Sequence, residues 1–172
     1  METMIEYVHN RIKRKDYQIA IDFTMGNGHD TLFLSKVAKQ VYSFDIQQEA
    51  LNNTKKLIED TDNVNLILAS HENFDCYVKN FDVGIFNLGY LPNGDHQITT
   101  MADSSLQAIK KAVEYLNRKG ELFLVVYIGH DEGESLLIEE YVASLDHISY
   151  NVALFKMMNK LSAPYVIQIE KR

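Results

Sequence analysis

Hydrophobic and polar residues along this chain follow two alternating rhythms. Short runs rich in aliphatic, aromatic and β-branched residues, at 18–23, 40–45, 63–69, 81–87 and 121–127, read as strands. Between them, at 29–38, 47–60, 71–79, 98–118 and 133–144, the apolar spacing is helical. A further amphipathic helix is predicted over 3–14, where apolar residues fall at positions 4, 5, 8 and 12. Strand–helix alternation of this kind predicts a parallel sheet covered on both faces. The unbroken run Leu122-Phe123-Leu124-Val125-Val126 suits a central strand with both faces buried. The end of the chain departs from the rhythm. Segments 147–157 and 163–170 both read as strands, and the turn between them leaves no room for a crossover helix, so they are expected to pair antiparallel.

Composition adds bounds to this picture. A chain of 172 residues, 46% apolar and 24% charged, fits one domain over 1–172, with an N-terminal helical segment (1–16) leading into a core (17–172). There is no repeat or low-complexity tract, and Pro92 and Pro164 are the only prolines. The single cysteine, Cys76, excludes an internal disulfide and suits a reducing, cytoplasmic setting. No apolar run approaches the roughly 20 residues that span a bilayer, and the N-terminus lacks a signal-peptide profile, so no membrane association is expected. A net charge of −7 argues against a protein that coats nucleic acid nonspecifically. Arg11, Lys13, Arg14 and Lys15 form a basic cluster, and Lys156, Lys160, Lys171 and Arg172 lie near the C-terminus. Such clusters read as solvated surface and leave room for a local basic patch.

Candidate chemistry begins where the first strand ends. Asp22-Phe23-Thr24-Met25-Gly26-Asn27-Gly28-His29-Asp30-Thr31 is a glycine-bearing loop between a strand and a helix. Glycines there permit tight turning and close backbone approach to a ligand, and helix-start amides favour an anionic group. The second strand ends at Asp45, placed to accept hydrogen bonds from ribose hydroxyls, with Ile46 and Gln47 beside it. A dinucleotide site is disfavoured on three counts. Thr31 stands where the third glycine would be, the acidic Asp22 would repel a pyrophosphate, and the terminal hairpin replaces a further parallel strand. A P-loop is excluded because no Gly-Lys-Ser/Thr follows. Five parallel strands followed by such a hairpin form the plan of the class I methyltransferases, a Rossmann-like, seven-stranded, mostly parallel α/β sheet. The expected cofactor is S-adenosyl-L-methionine, with Asp22 balancing its ammonium and the loop amides its carboxylate. The expected contacts are Asp22, Met25, Gly26, Asn27, Gly28, Asp30, Thr31, Asp45, Ile46 and Gln47, then Ser70 and His71 near the adenine, and Asn87 and Leu88 at the reacting end. His71 reads equally as a helix-start residue. His71-Glu72 opens no zinc motif, because Asp75 stands where the second histidine would be, and no metal site is expected.

The fourth strand runs into Asn87-Leu88-Gly89-Tyr90-Leu91-Pro92-Asn93-Gly94-Asp95 at the sheet's carboxyl edge, where open α/β folds bind ligands. Amino-methylating enzymes commonly carry Asn/Asp-Pro-Pro-Tyr/Phe at this place, and Asn87 and Tyr90 keep the first and last members of that pattern. An asparagine oxygen there accepts from the amine and aims its lone pair at the methyl carbon. Tyr90 offers a ring on which a flat base could stack. His130 and Asp131, after the fifth strand, are candidates to orient substrate or accept a proton, or simply to start a helix.

Together these segments resemble the rRNA methylase family whose characterised members are MnmM (YtqB)-type tRNA wobble-uridine methyltransferases of Gram-positive bacteria. The resemblance rests on Thr24-Met25-Gly26-Asn27-Gly28-His29-Asp30-Thr31, Phe44-Asp45-Ile46-Gln47, Ser70-His71-Glu72, Phe86-Asn87-Leu88-Gly89-Tyr90-Leu91-Pro92, Gly94-Asp95, Ile98-Thr99-Thr100, Val125-Val126-Tyr127 and Gly129-His130. It implies methylation of the aminomethyl group of 5-aminomethyl-2-thiouridine at the tRNA wobble position, with the anticodon stem-loop as partner. A primary aliphatic amine is mostly protonated at neutral pH, so the site must bind its neutral form or remove a proton. The resemblance implies that Asn87 and the Leu88 carbonyl hold the amine, with Asp95, ahead of His96, and His130 as proton acceptors or orienting groups. The chain departs from the family at Ile128, where a polar residue is common, and at Met158-Asn159-Lys160-Leu161-Ser162-Ala163-Pro164, where Lys160 replaces a glutamine. Alternatives are methylation of rRNA or of a small-molecule amine, and a non-catalytic cofactor-binding protein. Asn87, Gly89 and Tyr90 argue against the last. A small enzyme acting on a large RNA often gains contact surface by pairing, so a homodimer is expected.

Overall fold

The computed structural model describes residues 2–88, 98–128 and 132–172. In chain order its elements are α1 (Met4–Ile12), β1 (Tyr17–Asp22), α2 (His29–Ser35), β2 (Ala38–Asp45), α3 (Gln48–Leu57), β3 (Val64–Leu68), a 3₁₀ helix (His71–Cys76), β4 (Phe81–Leu88), α4 (Ile98–Tyr115), β5 (Leu116–Val126), α5 (Glu132–Ala143), β6 (Tyr150–Phe155) and β7 (Tyr165–Lys171). The strands form one seven-stranded sheet in the order β3-β2-β1-β4-β5-β7-β6. The first five run parallel, while β7 is antiparallel to β5 and β6 to β7, as the hairpin reading required.

The alternation of side chains along a strand divides the core into two layers. On one face lie Ile21, Leu122, Leu124, Val126, Ile167 and Ile169, packed under α4 and α5. On the other lie Ala20, Val41, Val83, Ile85, Phe123 and Val125, covered by Met4, Val8 and Ile12 of α1. Three of the four predicted apolar positions on α1 are thus buried, and the fourth, Ile5, is half-buried against the same layer. The helix starts with a capping box, Thr3 Oγ1 accepting from the Glu6 amide (3.1 Å) and Glu6 accepting from the Thr3 amide (2.7 Å).

Helices α2 and α3 stop at Ser35 and Leu57, each three residues short of the predicted end, and four other elements differ as follows. Helix α4 stops at Tyr115 and β5 begins at once, although helix was predicted to 118 and strand from 121. Asn117 donates to Asp82 (2.8 Å), whose other oxygen accepts from the Gln18 and Ile19 amides, and Lys119 sits at φ +64, outside helical space. Segment 71–79 forms a short 3₁₀ helix: Phe74 is its buried anchor, and Lys111 of α4 ties it down through the Glu72 carbonyl and the Asp75 carboxylate. The predicted strand at 147–157 begins only at Tyr150, because Asp146 gathers the Ile148 and Ser149 amides into a turn.

Because β2 and β3 are added on one side of β1 and β4 and β5 on the other, the strand order reverses between the parallel neighbours β1 and β4. A crevice at the carboxyl ends of the strands is the expected ligand position in such a sheet. The β6–β7 turn reaches the same edge, since Tyr165 pairs with Val126 at the end of β5.

Candidate active site

The loop after β1 is built around two glycines in left-handed backbone, Gly26 at φ +50 and Gly28 at φ +82. Gly28 is also sterically required: a Cβ there would lie 2.6 Å from two side-chain atoms of Thr54 on α3. The Gly28 amide donates to the Met25 carbonyl (2.8 Å), closing the turn, and the Met25 amide donates to Phe44 (2.9 Å), pinning it to β2.

Beneath the loop lies a polar cluster. Asp22 is fully buried and accepts from Thr31 Oγ1 (2.6 Å) and from the Thr24 amide (3.1 Å). With its proton given to Asp22, the Thr31 hydroxyl accepts from Ser43 (2.6 Å). Burial first, then the charge of Asp30, pushes the Asp22 carboxyl up to about 7. Asp22 and Thr31 are thus enclosed beneath the loop, whereas Asn27 is exposed on it and Met25 packs inward. Asp45, at the end of β2, accepts from the Gly26 amide (3.0 Å) and the Gln47 amide (2.9 Å), which leaves each carboxylate oxygen a further lone pair. Beside it Ile46 is 61% exposed, an open apolar surface next to the carboxylate. Gln47 is also exposed.

Two buried polar atoms have no hydrogen-bond partner among the described residues, His71 Nε2 and Asn87 Oδ1. His71 is oriented through Nδ1, which donates to the Phe23 carbonyl (3.1 Å), so Nε2 is left as an acceptor. Burial holds the His71 imidazole below its ordinary pKa, favouring this neutral form. Ser70 exchanges hydrogen bonds with Glu72 and caps the 3₁₀ helix. Asn87, near the end of β4, is held at both ends: its amide donates to Thr24 Oγ1 (2.8 Å) and Nδ2 donates to Asp30 (2.7 Å). The Leu88 carbonyl accepts from the Tyr127 amide (3.0 Å), so one lone pair remains for another donor. Tyr90, Asp95, His96, His130 and Asp131 lie outside the described residues.

The structure thus brings the loop, Asp45, His71 and Asn87 to one sheet edge. It also adds residues that the sequence reading passed over. Thr24, Ser43 and Thr54 hold the loop from beneath, and His9 of α1 bonds Asp30 (2.6 Å). The sequence signal for His9 is weak, since its neighbours one turn away mix the apolar Ile5 and Ile12 with the charged Glu6 and Lys13. An acceptor oxygen (Asn87 Oδ1), an acceptor nitrogen (His71 Nε2), a carboxylate and an apolar surface together suit a nucleoside-bearing ligand. The methionine end of such a ligand would meet the left-handed loop.

Comparison with known proteins agrees with this geometry. The family model described as "Putative rRNA methylase" matches residues 41–170. A tRNA (mnm(5)s(2)U34)-methyltransferase, chloroplastic, of Arabidopsis thaliana is 34% identical over 171 residues, spanning 88% of this chain. The chain spans 62% of that relative's length. The crystal structure of SMU.1697c from Streptococcus mutans, in complex with SAH, shares 38% identity and a TM-score of 0.90, over 100% of this chain and 99% of its own. An rRNA methylase from Streptococcus thermophilus shares 33% identity and a TM-score of 0.86, over 99% of this chain and 98% of its own. The sheet order, the antiparallel tail and these likenesses place the fold among the class I methyltransferases, Rossmann-like in build. The chain belongs to the rRNA methylase family.

Proposed function

We propose that this protein is an S-adenosyl-L-methionine-dependent N-methyltransferase that converts 5-aminomethyl-2-thiouridine at the tRNA wobble position to its 5-methylaminomethyl form. The observation that carries the reading is Asn87 Oδ1, a buried acceptor at the carboxyl end of β4 without a partner among the described residues. An unpaired buried carbonyl oxygen costs stability, and the N–H of a substrate amine satisfies it. The name of the Arabidopsis relative and the SAH complex of the Streptococcus mutans protein support the choice of substrate and cofactor.

The residues fit the cofactor. Asp45 would take the ribose hydroxyls, Ile46 one face of the adenine, His71 Nε2 a donor on its edge, and the Gly26–Gly28 turn the methionine end. When bound, S-adenosylmethionine supplies an electrophilic methyl group. The protein's part is proximity and orientation: Asn87 Oδ1 and the free lone pair of the Leu88 carbonyl hold the neutral amine in line. Asp95 and His130 are proposed to orient the amine or take its proton, and Tyr90 to stack on the base. Lys156, Asn159 and Lys160, in the turn that reaches this sheet edge, are proposed to meet the anticodon stem-loop.

We also propose a cytoplasmic homodimer. Support comes from the edge strand β6, where Leu154 is 58% exposed beside the exposed Val152, Met158 and Leu161. No helix among the described residues is long and apolar enough to cross a membrane.

The test is methyl transfer from labelled S-adenosylmethionine to anticodon stem-loop RNA carrying 5-aminomethyl-2-thiouridine, with rRNA and a small primary amine as parallel substrates. Transfer to the stem-loop alone is expected. Transfer confined to rRNA or to the free amine refutes the substrate assignment.

A further inference from the structure

The acceptor on Asn87 is useful only if its amide points the right way. A side-chain amide is nearly symmetric in shape, and a half-turn exchanges its oxygen for an NH₂ group. An NH₂ facing the substrate amine would present donors to a donor. The structure contains a device against that half-turn. Asp30, the second residue of α2, is 8% exposed and uses both carboxylate oxygens: Oδ2 accepts from Asn87 Nδ2 (2.7 Å), and Oδ1 meets Nε2 of His9 (2.6 Å). A carboxylate only accepts, so Asn87 must turn its NH₂ towards Asp30 and its oxygen away. By the same logic His9 Nε2 carries a proton.

His9 is itself fixed. Its ring stacks on Phe33 of α2, with centroids 3.7 Å apart and planes 8° from parallel. Its helix is seated by the buried Met4, Val8 and Ile12 and by Tyr7, which stacks on Phe155 of β6 at 4.0 Å. The line His9–Asp30–Asn87 therefore links α1, α2 and β4, three elements far apart in sequence.

We infer that His9 is a positioning residue for methyl transfer: through Asp30 it locks the Asn87 amide with its oxygen facing the substrate amine. This rests on the proposed amine methylation. It assigns to α1 a part in the reaction, in which His9 acts on Asn87 only through Asp30. Without His9, one carboxylate oxygen of Asp30 loses its donor, and the carboxylate is free to rotate away from Asn87.

Two substitutions separate positioning from packing. His9→Phe keeps a ring to stack on Phe33 and removes the N–H donor. His9→Gln gives up the ring and returns an N–H donor at about the same reach. For each, three quantities are measured: kcat and KM on the modified stem-loop, S-adenosylhomocysteine affinity by calorimetry, and the Asn87 side-chain amide signals in a ¹⁵N correlation spectrum, assigned with Asn87→Ala. In His9→Phe, kcat is expected to fall about tenfold to a hundredfold while cofactor affinity stays within about twofold. Its Asn87 amide protons should shift and exchange faster, and His9→Gln should restore both rate and signals. Wild-type kcat and unshifted signals in His9→Phe would overturn the inference. So would equal losses of rate and melting temperature in both variants, the mark of a packing role. If the wild-type protein transfers no methyl to the stem-loop, the functional reading fails instead. The amide signals then decide the positioning alone: shifted in His9→Phe and restored in His9→Gln supports it, and unshifted refutes it.

Discussion

Gly28→Ala tests whether the glycine loop after β1 is held by conformation and close packing together. The backbone at Gly28 has φ +82, where an L-residue costs about 1–2 kcal/mol. The new Cβ would lie 2.6 Å from both Cγ2 and Oγ1 of Thr54 and 2.9 Å from its Cβ. Thr54 is fully buried on α3, so it cannot swing clear, and overpacking of this kind costs about 1–3 kcal/mol. The sum is a loss of about 2–5 kcal/mol. At about 2–4 °C per kcal/mol for a domain of this size, the melting temperature should fall by roughly 4–20 °C. Thr54→Ala removes the two nearest atoms and leaves the backbone cost, together with the loss of its hydrogen bond to the Gly26 carbonyl (3.3 Å). In that background Gly28→Ala should therefore cost about 1–2 kcal/mol less than in the wild type. The assay is a double-mutant cycle by urea denaturation, with thermal melts as a check. A Gly28→Ala protein that melts within about 2 °C of wild type would refute the argument from backbone and contact. A cycle whose coupling stays below about 0.5 kcal/mol would refute the role of Thr54.

Three other outcomes follow from the same site. Asn87→Ala should lower kcat on the modified stem-loop by about a hundredfold or more and leave S-adenosylhomocysteine affinity within a few-fold; equal loss of both would make Asn87 structural. Asp45→Ala should weaken S-adenosylhomocysteine binding about tenfold or more by calorimetry, since charge-assisted hydrogen bonds are lost, and an unchanged affinity would remove Asp45 from the cofactor site. The third concerns pH. Asp22 has a folded-state carboxyl raised to about 7, so between about pH 4 and pH 7 the unfolded chain has released a proton that the folded chain keeps. Its contribution to stability is therefore present at low pH and is lost as pH rises through that window. Asp22→Asn can keep the bond from the Thr24 amide and donate to Thr31, so it should flatten this decline and stabilise the protein above pH 7. Denaturant midpoints of both proteins across pH 4–8 check it, and parallel curves would show that Asp22 is not the group responsible.

Strand and helix positions were legible because local periodicity reports burial directly, and the antiparallel tail followed from the short turn between its strands. Boundaries were less so. Nothing in the residues 116–120 read alone announces that Asp82, from a strand more than thirty residues earlier, captures Asn117 and ends α4 early. The turn after β1 was legible because its glycines answer a backbone demand, and Gly26 and Gly28 both have the positive φ that only glycine adopts cheaply. The inward placement of Asp22 and Thr31 was not, because whether a polar side chain at a strand end faces ligand or interior depends on its neighbours. Here those neighbours are Ser43 on β2 and Thr24 on the loop.

The sequence by itself determined the α/β class, the strand plan, the glycine turn after β1 and the place of Asn87 near the end of β4, all of which rest on residues adjacent in the chain or on repeating spacing. Only the tertiary structure decided which way Asn87 presents its amide. That orientation depends on Asp30, and Asp30 on His9, residues 57 and 21 positions apart in the two bonds and brought together by three different elements. Hydrogen-bond polarity is a property of groups in contact, and contacts across such separations exist only once the sheet and its covering helices have assembled.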